Sequence, residues 1–206
     1  DEFLAMVGFG EKVGEIDKHE SKIIKNLFRF RSLKVTDIMT PRIVITALPQ
    51  DMLATEAQQV LRHCPFSRLP LYGENNDDIT GFALKDKIML YSPSEREQLT
   101  LLSFKRKIHA VPDSMLLPNL LDFFLDNRQQ IAVIVDEYGS VKGLVTLEDV
   151  IETLLGMDIV DETDNVENMQ VLARQQWVKR AEALGLELPD DIFGSRDQEV
   201  KRKIKH

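Results

Sequence analysis

Two stretches of this chain are versions of one another. Ile45-Thr-Ala-Leu-Pro-Gln-Asp-Met-Leu53 matches Ile108-His-Ala-Val-Pro-Asp-Ser-Met-Leu116 at Ile, Ala, Pro, Met and Leu, with a constant offset of 63 residues (108 − 45). A fixed offset of this size points to duplication of one supersecondary unit. Each copy continues in the same order. An amphipathic helix comes first, with Leu53, Ala57, Val60, Leu61 and Cys64 in one copy and Leu117, Leu120, Leu121, Phe124 and Leu125 in the other. Both sets follow the spacing of a single buried stripe. Pro118 falls in the first turn, where proline is tolerated. A short strand follows, Arg68 to Tyr72 or Ile131 to Val135, then a polar turn, Glu74 to Asp78 or Asp136 to Ser140. A second strand, Ile79 to Leu84 or Val141 to Val145, leads into a closing helix. The unit reads strand, helix, strand, strand, helix. Neither copy has enough apolar surface to stand alone, so the expected fold is α+β, with α/β-type repeats packed sheet to sheet as a pseudo-twofold pair.

The 206 residues suffice for such a pair around a shared core. The net charge of −8 argues against nucleic acid, which demands a basic face. The single cysteine, Cys64, excludes an internal disulfide and reads as a small buried hydrophobe in a reducing compartment. No apolar run approaches the ~20 residues of a membrane span. The chain opens on Asp1-Glu-Phe without an initiator Met, as a fragment of a longer protein would. Before the repeats, Asp17-Lys-His-Glu20 reads as a capping box for a helix carrying Ile23, Ile24, Leu27 and Phe28 and ending near Ser32. After them come the carboxylates Asp158, Asp161, Glu162 and Asp164, then a charged tail ending in a basic run at residues 201–206.

Gly143-Leu-Val-Thr-Leu-Glu-Asp149 runs from a strand into the start of a helix. A hydroxyl (Thr146) and a carboxylate (Asp149) three residues apart suit the two hydroxyls of a ribose, and free N–H groups at a helix start suit a phosphate. Thr-x-x-Asp is equally a capping pair. The matching positions of the first copy are Leu84 and Lys87, with Gly81 aligned to Gly143. Neither Leu nor Lys can accept a bond from a ribose hydroxyl, so one site per chain is expected, on the second copy.

These residues together resemble the CBS domain pair, or Bateman module, over about residues 35–160. Val35-Thr-Asp-Ile-Met-Thr-Pro-Arg42 is similar to the family's opening Met-Thr-Pro segment. Ser67-Arg-Leu-Pro-Leu-Tyr72 resembles its Ser/Thr-Arg-aliphatic-Pro strand, and Gly143 to Asp149 its ribose motif. The stretches Glu20 to Arg31, Asp136-Glu-Tyr-Gly139 and Leu147 to Glu162 resemble the CorC/HlyC, cyclin-M-like branch of magnesium and cobalt transport proteins.

The resemblance implies residues 1–34 as a linker helix after a membrane domain, 35–96 and 97–160 as the two CBS domains, and 161–206 as an acidic linker and charged tail. It implies an adenine nucleotide, ATP or AMP, with Mg²⁺ as a possible companion. The ligand would lie between Thr146 and Asp149 on one wall and Thr40, Phe66, Ser67 and Arg68 on the other. Phe66 would stack on adenine and Arg68 would pair with phosphate; plain core packing and a solvated charge are the competing readings. The acidic run after Asp158 reads as a Mg²⁺ site or as a solvated linker. The implied partners are the protein's own transmembrane domain and a second copy, docked through Ile88, Met89, Val150, Ile151, Leu154 and Leu155, at the cytoplasmic face of the membrane. No nucleophile–base arrangement, phosphate loop or metal-spaced histidine set stands out, so no catalysis is expected. A ligand-free dimerisation scaffold and a regulatory module of an enzyme are the alternatives.

Overall fold

The structure is a computed structural model that describes residues 2–75 and 78–156. Two helices lead. Helix α1 spans Glu2–Val13, and α2 spans Lys18–Phe30. The capping box at α2 forms as the sequence predicts: Asp17 Oδ1 accepts from the N–H groups of His19 and Glu20, while Glu20 Oε2 accepts from Asp17 N–H. Helix α1 was not foreseen. It is held to α2 by Glu11, which bonds Ser21 and Lys25, and by the ring pair Phe3–Phe28.

Each copy then builds its own sheet. The first has strands β2 (Leu48–Pro49), β3 (Arg68–Tyr72) and β4 (Ile79–Leu84) in the order β2-β3-β4. Helix α3 (Ala54–His63) connects the parallel pair β2 and β3, α4 (Lys85–Met89) closes the copy, and the short α5 (Pro93–Arg96) follows it. The second copy repeats this with β5 (His109–Pro112), α6 (Leu117–Asp126), β6 (Ile131–Val135), β7 (Val141–Thr146) and α7 (Leu147–Leu155). In both copies the first strand runs parallel to the second, and the second and third are antiparallel. The predicted strand–helix–strand–strand–helix order therefore holds.

The copies are interlocked through the segments that precede them. Strand β1 (Thr40–Pro41) precedes the first copy, yet it pairs antiparallel with β7 of the second, Thr40 opposite Leu144 and Pro41 opposite Gly143. The segment before the second copy crosses the other way: Arg106 exchanges both backbone bonds with Phe82 of β4, at 2.7 and 3.0 Å. Further out, Val35 N–H donates to Met115 O and Leu117 N–H to Leu33 O, while Leu101 N–H donates to Met52 O and Ala54 N–H to Leu99 O. Each lead-in thus satisfies edge groups of the other copy's sheet or helix start.

The burial pattern follows this exchange. Leu61, Leu69, Leu71 and Ile88 centre the first core. Leu117, Leu120, Phe124 and Ile134 centre the second, joined by Phe30 and Val35 from before the repeats. A third cluster joins the copies, with Phe82 of β4 against Ile131, Val133 and Leu144 of β6 and β7.

Two sequence expectations need correction. Leu53, Val60 and Leu125 were placed in buried stripes but are 36%, 37% and 58% exposed, because Ala54, Ala57 and Leu61, or Leu117, Leu120 and Phe124, already fill the arc that faces each sheet. Ile88 and Val150 were assigned to an exposed docking face, yet both are fully buried in their copies' cores. Cys64 is buried, as expected.

Gly143 and Gly81 allow the crossed pairing. A Cβ on Gly143 would lie 2.6 Å from Thr40 O and 2.8 Å from Met39 Sδ. On Gly81 it would lie 2.5 Å from Arg106 O. Helix α7 ends at Gly156 in the left-handed region (φ 64°), where any side chain would overlap the Asn26 amide of α2.

Gly143→Ala and Gly81→Ala should each lower stability by about 1–3 kcal/mol, as overpacking does. Gly8, inside α1 with open space around it, should instead tolerate alanine or gain up to about 1 kcal/mol. Urea midpoints of the three variants check this.

Candidate functional site

Thr146 is the last residue of β7 and the N-cap of α7. Its backbone is still extended, so its side chain can turn back over the first helical turn. Asp149 Oδ2 accepts from Thr146 N–H at 2.7 Å and from Thr146 Oγ1 at 2.8 Å, while Asp149 N–H donates to Thr146 Oγ1 at 3.2 Å. The capping reading of this pair is therefore realised. The cap does not exhaust the carboxylate: among the described residues every side-chain bond at Asp149 falls on Oδ2, and Oδ1 is a further acceptor. The N–H groups at the head of α7 add donors.

Asp149 is half-buried in the structure, and burial pushes its carboxyl above the ordinary carboxylate value. The two bonds from Thr146 pull the other way, and neighbouring Glu148 adds a push upward. The protein thus holds a desolvated carboxylate beside a hydroxyl at a helix N-terminus, a donor and acceptor set that fits a vicinal diol.

Strand register decides what shares this layer, because residues directly opposite one another point to the same face of a sheet. Thr40 is opposite Leu144, and Ile131 is opposite Thr146. Leu144 and Ile131 both belong to the cluster between the copies. The face that carries Thr40 and Thr146 is therefore the one turned toward the first copy. On the first sheet, Arg68 is opposite Leu84, which packs on that same cluster beside Phe82. Arg68 accordingly enters the inter-copy layer from the other side.

Ser67 is exposed at the foot of β3, where its carbonyl accepts from Lys85 N–H at 3.0 Å. Phe66 is half-buried against the first copy's core. The structure thus brings Thr40 and Thr146 onto one face of the second sheet, with Asp149 held to Thr146 from α7, while Arg68 stands beside Leu84 on the facing side of the first sheet. Phe66 and Ser67 stay with the first copy, with no hydrogen bond to Thr146 or Asp149 among the described residues. The carboxylates at 158, 161, 162 and 164 lie outside the described residues.

The equivalent pole of the first copy is built differently. Leu84 is the N-cap of α4 and has no capping side chain, and Lys87 is exposed where Asp149 would stand. Gln130 escaped the sequence reading. Its carbonyl accepts from Leu147 N–H at 3.1 Å, as Ser67's does from Lys85, and the offset of 63 that relates the copies leads straight from Ser67 to Gln130. Among the described residues no helix is long and apolar enough to cross a membrane, and no group of three or more His, Cys, Asp or Glu is placed to hold a metal.

Comparison with known proteins follows the same lines. A family model for the CBS domain matches residues 103–156. Over 97% of its length the chain is 30% identical to the magnesium and cobalt efflux protein CorC of Salmonella typhimurium, covering 69% of it. A UPF0053 protein of Synechocystis is 36% identical over 84% of the chain, which spans 49% of that relative. Among solved structures, the CBS domain of a bacterial CNNM/CorC family Mg²⁺ transporter superposes with a TM-score of 0.72 at 31% identity, over 78% of this chain and 97% of that one. The form solved in complex with ATP gives 0.64 at 32% identity, over 67% of this chain and 98% of that one. A CBS-domain pair with bound AMP from Klebsiella pneumoniae gives 0.52 at 29%, over 61% of this chain and all of that one.

The raised carboxyl of Asp149 has a definite sign. The folded state holds that proton more tightly than the unfolded chain, so wild-type stability falls as pH rises from the ordinary value of 3.8 through the folded value. Asp149→Asn removes the titration. Denaturation at a series of pH values should show the wild type losing stability relative to Asp149→Asn across that window, with a flat difference contradicting it.

Proposed function

The chain belongs to the CorC family of magnesium and cobalt efflux proteins, and from that premise we propose that it is a regulatory module which binds one adenine nucleotide between its two CBS domains. The observation that carries the reading is the arrangement at β7 and α7: a capped helix start whose Asp149 has a carboxylate oxygen beyond the one its cap uses, next to the sheet face that Thr40 and Thr146 turn toward the first copy.

In this reading Asp149 Oδ1 accepts from a ribose hydroxyl and Thr146 contacts its neighbour. Thr40 flanks them from β1. Arg68 pairs with phosphate, and Phe66 with Ser67 borders the base from the first copy. Mg²⁺ accompanies the phosphates of ATP as their counter-ion. ATP and AMP are both consistent with the named complexes of similar proteins. The chain spans about half of one relative and 69% of another, and the role of the remainder is part of the proposal. The domains, 35–96 and 97–160, act on a membrane-spanning portion at the cytoplasmic face, as a homodimer, with no catalytic role. Nucleotide occupancy alters transport by favouring one of two arrangements of the modules.

Calorimetric titration with ATP, with and without Mg²⁺, and with AMP tests the reading. Binding should saturate at one nucleotide per chain and vanish in Asp149→Ala, while Lys87→Ala leaves it unchanged. A ligand at about 100 times its Kd should add about 2.7 kcal/mol to stability. Absence of any thermal shift at millimolar nucleotide would favour a ligand-free dimerisation scaffold instead.

A further inference from the structure

We propose that the basic stripe of α2 is a docking surface for the acidic run that follows α7 in the same chain, so that the run clasps the leading helices to the end of the second copy. The proposal is independent of any nucleotide.

Residues 18–34 carry six cations (Lys18, Lys22, Lys25, Arg29, Arg31 and Lys34) against one carboxylate, Glu20, in a chain whose net charge is −8. Charge is therefore segregated along the chain, and the structure gives the segregation a shape. Lys18, Lys22, Lys25 and Arg29 fall at i, i+4, i+7 and i+11 of α2, a single stripe about 16 Å long, and all four are exposed. Lys18 with Lys22, and Lys25 with Arg29, are like charges one turn apart, an arrangement that works against a helix. Lys25 is answered by Glu11 of α1 at 3.1 Å. Among the described residues no carboxylate lies within salt-bridge distance of Lys22 or Arg29.

Helix α7 delivers the complement to this place. It ends at Gly156, where a Cβ would lie 3.3 Å from Lys22 Cε and 2.8 Å from Asn26 Cγ. The chain continues to Asp158, Asp161, Glu162 and Asp164, four carboxylates in seven residues with no cation among them. The run lies outside the described residues, but its starting point does not. Asp158 is two residues past Gly156, at most about 7 Å of chain, and Asp164 is eight past it, at most about 28 Å. The stripe lies within that reach, and a linear row of cations suits an extended anionic segment better than a compact ion.

A separate observation marks the same spot. Asn26 Nδ2 is buried beside Gly156 and has no hydrogen-bond partner among the described residues. A buried donor without an acceptor is costly, and this one stands where the chain leaves α7. Lys22 also faces the C-terminal end of α7, whose free carbonyls favour a cation. That accounts for one cation of the stripe, as Glu11 accounts for Lys25. Lys18 and Arg29 call for a further negative group.

Carbodiimide coupling of the full chain, read by mass spectrometry, tests the clasp, because the reagent joins a lysine amine to a carboxylate only where the two already meet. Lys25 to Glu11 is the internal reference. Lys18 or Lys22 should link to one of Asp158, Asp161, Glu162 and Asp164, and the link should fall severalfold in about 1 M salt, where the screening length is about 3 Å. Lys22→Glu with Arg29→Glu should lower the melting temperature at low salt, and Asp161→Lys with Glu162→Lys added to them should restore part of the loss. Cross-linking uses the wild type, so it decides the matter if those variants do not fold. Formation of the reference link with no coupling of α2 to residues 158–164 overturns the proposal. So does coupling found only between differently isotope-labelled chains, which gives the stripe to a second copy. Sedimentation with phosphatidylglycerol vesicles in place of coupling overturns it too, and gives the stripe to a lipid surface.

Discussion

The architecture depends on a close backbone approach made twice, once at Gly143 and once at Gly81. At each point the segment that introduces one copy lies against the last strand of the other, near enough that even a methyl group would collide with a carbonyl. Without these two crossings, β7 and β4 would present open edges, and the cluster around Phe82, Ile131 and Leu144 would have nothing to hold its walls in register. The crossings also fix which side chains look into the layer between the sheets. The grouping of Thr40 with Thr146, and of Arg68 with Leu84, is a consequence of pairing parity before it is a matter of chemistry.

The two poles of the pair show how one fold can be tuned by two residues. Thr146 and Asp149 cap α7 by exchanging bonds, and α7 runs for nine residues. Leu84 and Lys87 supply no such cap, and α4 is a five-residue turn. The polar pair that would serve a ligand also serves its helix. Desolvating Asp149 works against stability at neutral pH, and the bonds from Thr146 offset part of that.

Much of this was legible in the sequence because duplication doubles every signal. The strands Arg68–Tyr72, Ile79–Leu84 and Ile131–Val135 fall where the repeat predicts them, and the α2 capping box forms on the residues that announce it. What escaped had a physical reason in each case. The crossing of the lead-ins is a tertiary pairing between short, irregular segments with no periodicity of their own. The two crossings, at Thr40 and at Arg106, are offset by 66 residues, where the flanking repeat runs at 63 (106 − 40 against 108 − 45). Helix α1 carries apolar residues all round and no N-cap signature, and Phe3, Met6 and Phe9 remain exposed on it. The burial of Ile88 and Val150 could not be read from a helical wheel, since both copies leave more than one apolar face on their closing helices.

Helix α7 joins two places that the chain otherwise keeps apart. Its first turn holds Asp149, and about 10 Å further on it ends at Gly156, wedged against Asn26 of α2. A nine-residue rod with fixed points at both ends behaves as a lever. Any tilt of α7 at the Thr146 end would therefore shift the contact with Asn26 on α2, with no need for the sheets to deform.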